Sequence, residues 1–248
     1  RISQEMLLGI GGLRALRKLG LSPDAWHMNE GHSAFLVLER MRELMEQGLT
    51  MEKAEKLVKS TDIFTTHTPV PAGNDQFPIW LMDKYFACYW PSLNLDRDQF
   101  MAIAKHAQPW GETFSMPILA LRLSEQRNAV SELHGEVSRK MWHFLWQDKK
   151  VEDVPITHIT NGIHTPSWLA HEIVVLFEKH LGKDWLSNLT DLDMWAKIDS
   201  IPDEEIWAVR KQLKNILMTF ANERVRKQWA TGAIHPFQVI AGGSLLDP

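Results

Sequence analysis

Trp26-His27-Met28-Asn29-Glu30-Gly31-His32-Ser33-Ala34 passes from a strand pattern to a helix pattern within nine residues. Trp26, His27 and Met28 read as a short strand. Amide, acid and imidazole groups crowd the next four positions. A helical pattern then begins, with Ser33 able to cap and Phe35, Leu36, Leu38, Met41 and Leu44 mostly on one face. A strand end that turns into a helix start is where open α/β sheets place ligands. Two later stretches have the same character: Phe64-Thr65-Thr66-His67-Thr68-Pro69-Val70-Pro71-Ala72-Gly73, and Thr157-His158-Ile159-Thr160-Asn161-Gly162-Ile163-His164. A purely structural domain has little reason to repeat that pattern three times.

Outward from this stretch, residues 2–19 read as a helix, with Ile2, Met6, Leu7, Ile10, Leu13, Leu16 and Leu19 spaced by three and four. Gly9, Gly11 and Gly12 weaken it and allow close approach of another backbone or a ligand. They are no dinucleotide fingerprint, because no strand precedes them. Gly48 ends the helix after Ser33, and Thr50 caps the next, which runs to Ser60. Residues 62–66 read as a second strand, followed by a stiff Pro-Val-Pro-Ala-Gly loop. Residues 76–120 read as aromatic and mainly helical, with breaks at Pro91 and at 108–111, and residues 114–124 as a helix. Short strands follow at 128–131 and 156–160, with helices at 133–142 and 166–180 and looser turns at 184–195. A long helix opens at Pro202 or Asp203 and runs to about Trp229, with Ile206, Val209, Leu213, Leu217 and Phe220 on its core side. Strands alternating with helices imply an α/β fold, a parallel sheet covered on both faces.

Composition narrows the function. Net charge is −4 with no basic block, which leaves nucleic acid no electrostatic footprint. No apolar run is long enough for a membrane span, and the opening Arg1-Ile2-Ser3-Gln4-Glu5, already in an amphipathic helix pattern, does not read as a signal peptide. The single cysteine, Cys88, excludes an internal disulfide and suits a reducing compartment. Eleven Trp stand against two Tyr, and Trp faces suit sugar rings, although Trp142, Trp146 and Trp207 fall on helical stripes that read as core. Arg1 enters a helix without a lead, and residues 232–248 read as a linker that stops abruptly, so a segment of a longer protein is expected.

The candidate chemistry lies at the strand ends. His67 stands before the proline loop, where its ring either contacts a ligand hydroxyl or holds the loop. Glu30 is placed to fix the tautomer of His32 or, across the sheet, of His67. Asn29 offers a donor and an acceptor to sugar hydroxyls, unless it or Ser33 caps the helix. Asn161-Gly162 is a turn signal that sends an amide into the same crevice, while His158 and His164 read as structural. Asn128 and the loop Ser131 to His134 form a fourth cluster. Glu132, His134 and Glu136 cannot face one way on a helix, so no carboxylate pair is implied. His27, His32 and His67 have no metal-ligand spacing. No nucleophile elbow, P-loop or glycosidase pair stands out. The residues describe a polyhydroxyl-binding crevice with no evident reacting group.

Four motifs in order carry a resemblance: residues 26–35, 66–73, 132–139 (Glu-Leu-His-Gly-Glu-Val-Ser-Arg) and 160–169 (Thr-Asn-Gly-Ile-His-Thr-Pro-Ser-Trp-Leu), with the leading Glu5 to Gly12 in support. The chain resembles the α-glucan phosphorylases of glycogen, starch and maltodextrin, glycosyltransferase family 35, in their short bacterial and archaeal branch. The resemblance implies a Rossmann-like parallel sheet in a GT-B fold. Residues 1–231 would be part of the N-terminal, glucan-binding lobe, and residues 232–248 a linker into a C-terminal lobe. It implies transfer of a terminal α-1,4-glucosyl unit to inorganic phosphate, giving α-glucose 1-phosphate with retention.

Carried onto this sequence, His67 would contact the reacting sugar through its side chain and its backbone carbonyl. Glu30 and His32 would share the catalytic region. Asn161, Asn29, Leu133, His134 and Gly162 would line the substrate site. Pyridoxal phosphate, which serves the family through its phosphate group, would be held by a lysine outside these residues. These 248 residues alone are therefore expected not to catalyse phosphorolysis. The longer animal and plant enzymes read Asp, Thr and Pro where this chain has Glu30, Gly31 and Ser33, and short-branch relatives often have histidine at Asn74. Expected partners are an α-1,4-glucan, phosphate or glucose 1-phosphate, the C-terminal lobe, and a second copy through exposed apolar patches. Neither nucleic acid nor membrane is expected, and the location is cytoplasmic. The rival readings are a non-catalytic carbohydrate-binding module and a GT-B enzyme using a nucleotide sugar.

Overall fold

The computed structural model describes residues 1–109 and 111–231. The chain forms two compact units, Arg1–Asn161 and a second from Gly162 onward.

The first unit opens on one continuous helical rod. It comprises α1 (Ile2–Met6), a wider π-turn (Leu7–Gly11) and α2 (Gly12–Lys18). The π-turn holds Gly9 and Gly11 of the three glycines flagged in the sequence, and Gly9 lets the rod lie against the chain entering the next helix. Strand β1 (Trp26–Asn29) leads through a 3-10 turn (Gly31–Ser33) into α3 (Phe35–Glu46). Then come α4 (Met51–Thr61), capped by Thr50 through the Lys53 amide, and β2 (Asp62–Thr66).

Between residues 76 and 115 the expected helical stretch proves mixed. It contains β3 (Gln76–Pro78), α5 (Ile79–Phe86), α6 (Arg97–Ala102), β4 (Lys105–Gln108) and β5 (Gly111–Ser115). The strands form a three-stranded antiparallel sheet in the order β3-β5-β4. β4 has no strong apolar alternation to announce it. It is held by main-chain pairing with β5, whose first residue, Gly111, has φ +130. The helix predicted over 114–124 is shortened to α7 (Met116–Arg122), since Phe114 and Ser115 pair in β5. β6 (Gln126–Ala129), α8 (Glu132–Trp142) and β7 (Thr157–His158) complete the unit. β7 is shorter than the run predicted at 156–160.

The main sheet is parallel, with order β1-β2-β6-β7. Order in space equals order in sequence, so right-handed crossovers deliver their helices to one face. Burial agrees. Trp26, Met28, Phe64 and Ala129 lie in the core, whereas His27 and Asn29 on the other face are exposed. On that second face burial is uneven: Thr65 and Asn128 are buried while His27 and Asn29 are exposed. Phe35, the first residue of α3, anchors the core against Phe77, Phe86 and Phe114. Behind it, fully buried Glu39 takes two hydrogen bonds from Arg14 and further ones from Arg42 and the Tyr89 hydroxyl. At the amino end of the sheet Trp26 has the guanidiniums of Arg17 and Arg40 each 5.3 Å from its ring.

The second unit contains α9 (Thr165–Trp168), α10 (His171–Leu181), α11 (Leu192–Ala196) and α12 (Asp203–Ala230). The helix predicted over 166–180 breaks at Leu169-Ala170. A small core joins Leu181, Trp185 and Met194, with Phe177 and Trp195 packed edge-on to Trp185. α12 rests on α10, where Glu205 accepts from Lys179 and pairs with His180. Its expected core side is only partly covered: Ile206, Val209 and Leu213 are half-buried, while Leu217 and Phe220 are exposed. Trp207 is 70% exposed, not in a core, whereas Trp142 is 2% exposed in the main core and Trp146 packs, half-buried, against that core. The linker predicted over 232–248 lies outside the described residues.

Candidate functional site

A parallel sheet brings all its carboxyl ends to one edge. Here Glu30, His67, the Val130-Ser131 turn and Asn161 follow β1, β2, β6 and β7 in that order. Three strand spacings separate the first from the last, about 14 Å.

Glu30 begins the row in an unusual conformation, with φ 67 and ψ 172. A non-glycine residue there carries strain on the order of 1–3 kcal/mol. Four hydrogen bonds hold it. Its own N–H donates to the Thr65 carbonyl at 2.9 Å, and Ser33 Oγ donates to its carbonyl at 3.3 Å. Its Oε1 accepts the backbone N–H of His67 and, at 3.1 Å, that of Thr68. The carboxylate thus binds main chain rather than the imidazole of His32 or His67, which corrects the tautomer role expected from the sequence. The side chain simply reaches the nearest unpaired amides at the end of β2.

His67 is exposed at the head of a loop that folds on itself. Gly73 N–H donates to the Val70 carbonyl at 3.2 Å and Asn74 N–H to Pro71 at 3.1 Å. Farther along, Met116 N–H donates to the Asp75 carbonyl at 3.0 Å. Asn29 and His32 are also exposed. Neither Asn29 nor Ser33 caps α3, so the capping alternative is overturned.

Beside them runs a polar line the sequence did not reveal. His27 Nε2 lies 2.7 Å from Thr65 Oγ1, and Thr65 Oγ1 donates to Asn128 Oδ1 at 2.9 Å. The threonine has one proton and gives it to Asn128, so His27 donates from Nε2. Its signal in sequence is faint: His27, Thr65 and Asn128 lie on the face that alternates away from the core, among other polar residues of the same strands.

Leu133, in the first turn of α8, is 71% exposed. His134 is buried, its Nδ1 accepting from the Val130 N–H at 3.4 Å and holding the turn after β6, while its buried Nε2 has no partner among the described residues. Asn161 N–H donates to the Val130 carbonyl at 3.2 Å, which extends the β6–β7 pairing and leaves its exposed amide side chain free to turn outward. Gly162 opens the second unit with nothing within 4 Å of where a Cβ would stand. His158 packs on Gly135, and His164 pairs with Ser167 at 2.8 Å at the start of α9.

An open groove of about 780 Å³ adjoins the His67 loop, lined by Val70, Pro71, Asn74, Gln76, Gln108 and Thr113. A groove of about 890 Å³ lies at the other end of the sheet, beside Lys59, Glu125, Arg127 and Trp146. The first is the nearer to the candidate residues, through Val70, Pro71 and Asn74 of the loop that His67 opens. Among the described residues no three His, Cys, Asp or Glu side chains gather to hold a metal ion.

Comparison with known proteins bears on this arrangement. A family model described as Carbohydrate phosphorylase matches residues 21–240. The chain is 40% identical over 228 residues to a maltodextrin phosphorylase of Thermococcus litoralis, covering 92% of this chain and 27% of that protein. It is 37% identical over 243 residues to a glycogen phosphorylase of Mycobacterium tuberculosis, with the same two shares. A glycogen phosphorylase of Aquifex aeolicus is 32% identical over 247 residues, covering 100% of this chain and 35% of that protein. The chain therefore spans about a quarter to a third of the length of these relatives. With a parallel α/β sheet whose exposed polar residues gather at its carboxyl edge, the chain belongs to the carbohydrate phosphorylase family.

Proposed function

We propose that these residues grip the reacting sugar of an α-1,4-glucan phosphorylase, as part of a longer polypeptide. The substrates are a glycogen- or maltodextrin-like glucan and inorganic phosphate. The reaction breaks the bond between C1 of the terminal glucose and the next sugar, forms a bond from C1 to phosphate, and passes a proton from phosphate to the leaving hydroxyl. The observation that carries the reading is His67, exposed at a strand end with its backbone anchored by Glu30.

In this role the His67 ring and the Asn161 and Asn29 amides hydrogen-bond sugar hydroxyls, with His32 beside them. Leu133 offers an apolar wall, His134 holds the turn beneath it, and Gly162 leaves room for backbone approach. The His67 carbonyl faces the ring carbon that becomes positive as the bond breaks. A fixed dipole aimed at developing charge stabilises the transition state without reorganisation. One such hydrogen bond contributes about 1–3 kcal/mol, so His67→Ala should slow the reaction ~5- to 150-fold and not abolish it.

Pyridoxal phosphate does not fit the described residues. A Schiff-base lysine must be shielded. Every lysine described is exposed, except half-buried Lys59, which pairs with Glu55. No step is assigned to that group here; its lysine is placed in the remainder of the polypeptide, which is also the main partner of this chain. No helix among the described residues is long and apolar enough to cross a membrane. A cytoplasmic location fits this and the single free cysteine, exposed Cys88.

The test is glucose 1-phosphate release from maltoheptaose and phosphate. It compares the 248-residue chain with added pyridoxal phosphate against a longer polypeptide that includes the remaining lobe. Activity only in the longer form is expected. Activity in the short chain would overturn the placement of the reacting group elsewhere, and silence in both would overturn the phosphorylase reading.

A further inference from the structure

We propose that Glu30 is a positioning residue whose carboxylate aims the backbone carbonyl of His67. The argument begins with the peptide bond. The N–H of Thr68 and the C=O of His67 belong to one planar trans unit, so they point in opposite directions. Glu30 Oε1 accepts the Thr68 N–H at 3.1 Å. The His67 carbonyl is thereby turned directly away from Glu30. The same oxygen accepts the His67 N–H, which belongs to the preceding peptide. Two successive peptide planes are thus pinned by one atom, and the residue between them loses its freedom to rotate.

The strain at Glu30 belongs to the same device. With φ 67 the chain turns sharply enough for a side chain leaving the end of β1 to reach main chain leaving β2. A glycine would take that backbone conformation at no steric cost. A glutamate there is explained by what its carboxylate holds. Ser33 Oγ on the Glu30 carbonyl and the Glu30 N–H on Thr65 fix the base from which it reaches.

The role in catalysis rests on the proposed function, in which that carbonyl faces the reacting carbon. A misaimed dipole leaves ground-state binding nearly intact and weakens only the transition state, so kcat falls while KM holds. One oxygen makes both bonds, so an amide in place of the carboxylate keeps them. This separates positioning from acid–base work, which a glutamine could not do.

The experiment has two arms. In the longer polypeptide with pyridoxal phosphate, Glu30→Ala should lower kcat ~10- to 100-fold with KM within about threefold. Glu30→Gln should recover kcat to within about fivefold of wild type, with no shift in the pH profile. Glu30→Gly, with the strain relieved and the clamp gone, should melt no lower than wild type yet be as slow as Glu30→Ala. A glutamine variant as slow as the alanine one, or a glycine variant as fast as wild type, would overturn the proposal. In the 248-residue chain, the His67 and Thr68 amides should exchange slowly in wild type and Glu30→Gln and rapidly in Glu30→Ala. Rapid exchange in wild type would overturn the clamp itself. If the longer polypeptide releases no glucose 1-phosphate, the functional reading fails, while the exchange arm still decides whether Glu30 holds the His67 backbone.

Discussion

Gly9 and Leu36 meet backbone to backbone: a Cβ on Gly9 would stand 2.7 Å from the Leu36 nitrogen and 3.0 Å from the Phe35 carbonyl carbon. Neither neighbour is a side-chain tip that can swing aside. Gly9→Ala should push the first helical rod off the start of α3 and cost ~1–3 kcal/mol. Gly12 is its control. It is also helical, and nothing lies within 4 Å of its Cβ position. Gly12→Ala should add ~0.5–1 kcal/mol. Urea midpoints moving in opposite directions at constant m would confirm both; a shared direction would refute the close-approach argument.

Glu39 should govern acid stability. Burial alone would raise its pKa, but hydrogen bonds from Arg14, Arg42 and Tyr89 outweigh that and hold it at about 2. A carboxylate lowered in the folded state stabilises fully above its unfolded pKa. That contribution is lost as pH falls from about 4.5 toward 2. The stake is on the order of 3 kcal/mol. Glu39→Gln should lose about that much at pH 7 and flatten the decline of stability below pH 4.5. A variant with the wild-type acid profile would rule this out.

Glu5 should act in the opposite sense. Burial, with Asp75 nearby, pushes it up to about 7 against the partial relief of Arg1. An acid raised in the folded state favours folding most below its unfolded pKa, and that advantage is lost as pH rises from about 4.5 through 7. Glu5→Gln should therefore raise the melting temperature at pH 8 and leave it nearly unchanged at pH 4. Equal shifts at both pH values would contradict the assignment.

Trp185 should carry the second unit. It is almost fully buried and meets Phe177 and Trp195 edge-on at 5.3 and 6.1 Å. So small a core has no reserve. Trp185→Ala should cost ~3–5 kcal/mol and melt α10 and α11 while the first unit stays folded. Near-UV circular dichroism with hydrogen exchange resolved by residue would show it, and a single transition shared by both units would not fit.

What the sequence made legible follows from what leaves a trace in side chains. β1 and β2 were readable because Trp26, Met28 and Phe64 must be apolar to reach the core. The start of α4 was readable because Thr50 caps it with its own oxygen. The antiparallel sheet was not. Lys105-His106-Ala107-Gln108 is exposed or half-buried throughout, and its pairing with β5 is made by main chain that any residue supplies. The candidate site shows the same divide. Glu30 and His67 stand out by type and position, but the bond between them does not, because its donors are backbone N–H groups. Periodicity puts Ile206, Val209, Leu213, Leu217 and Phe220 of α12 on one core side, yet a helix's pattern shows which side is apolar, not what covers it, and Leu217 and Phe220 are exposed.

The strand order also sets how the chain can assemble. β1-β2-β6-β7 follows synthesis order, so each strand can dock beside the one just placed, without waiting for a later strand to wedge between them. The longest closure joins Thr65 to Asn128, 63 residues apart. Against the 36 residues between Asn29 and Thr65, the added loop entropy is only ~0.5 kcal/mol. That excursion is not idle chain, since its own antiparallel sheet and aromatic contacts form locally and draw its ends together. The strand-end residues proposed to grip the sugar are then aligned as a by-product of laying down strands one after another.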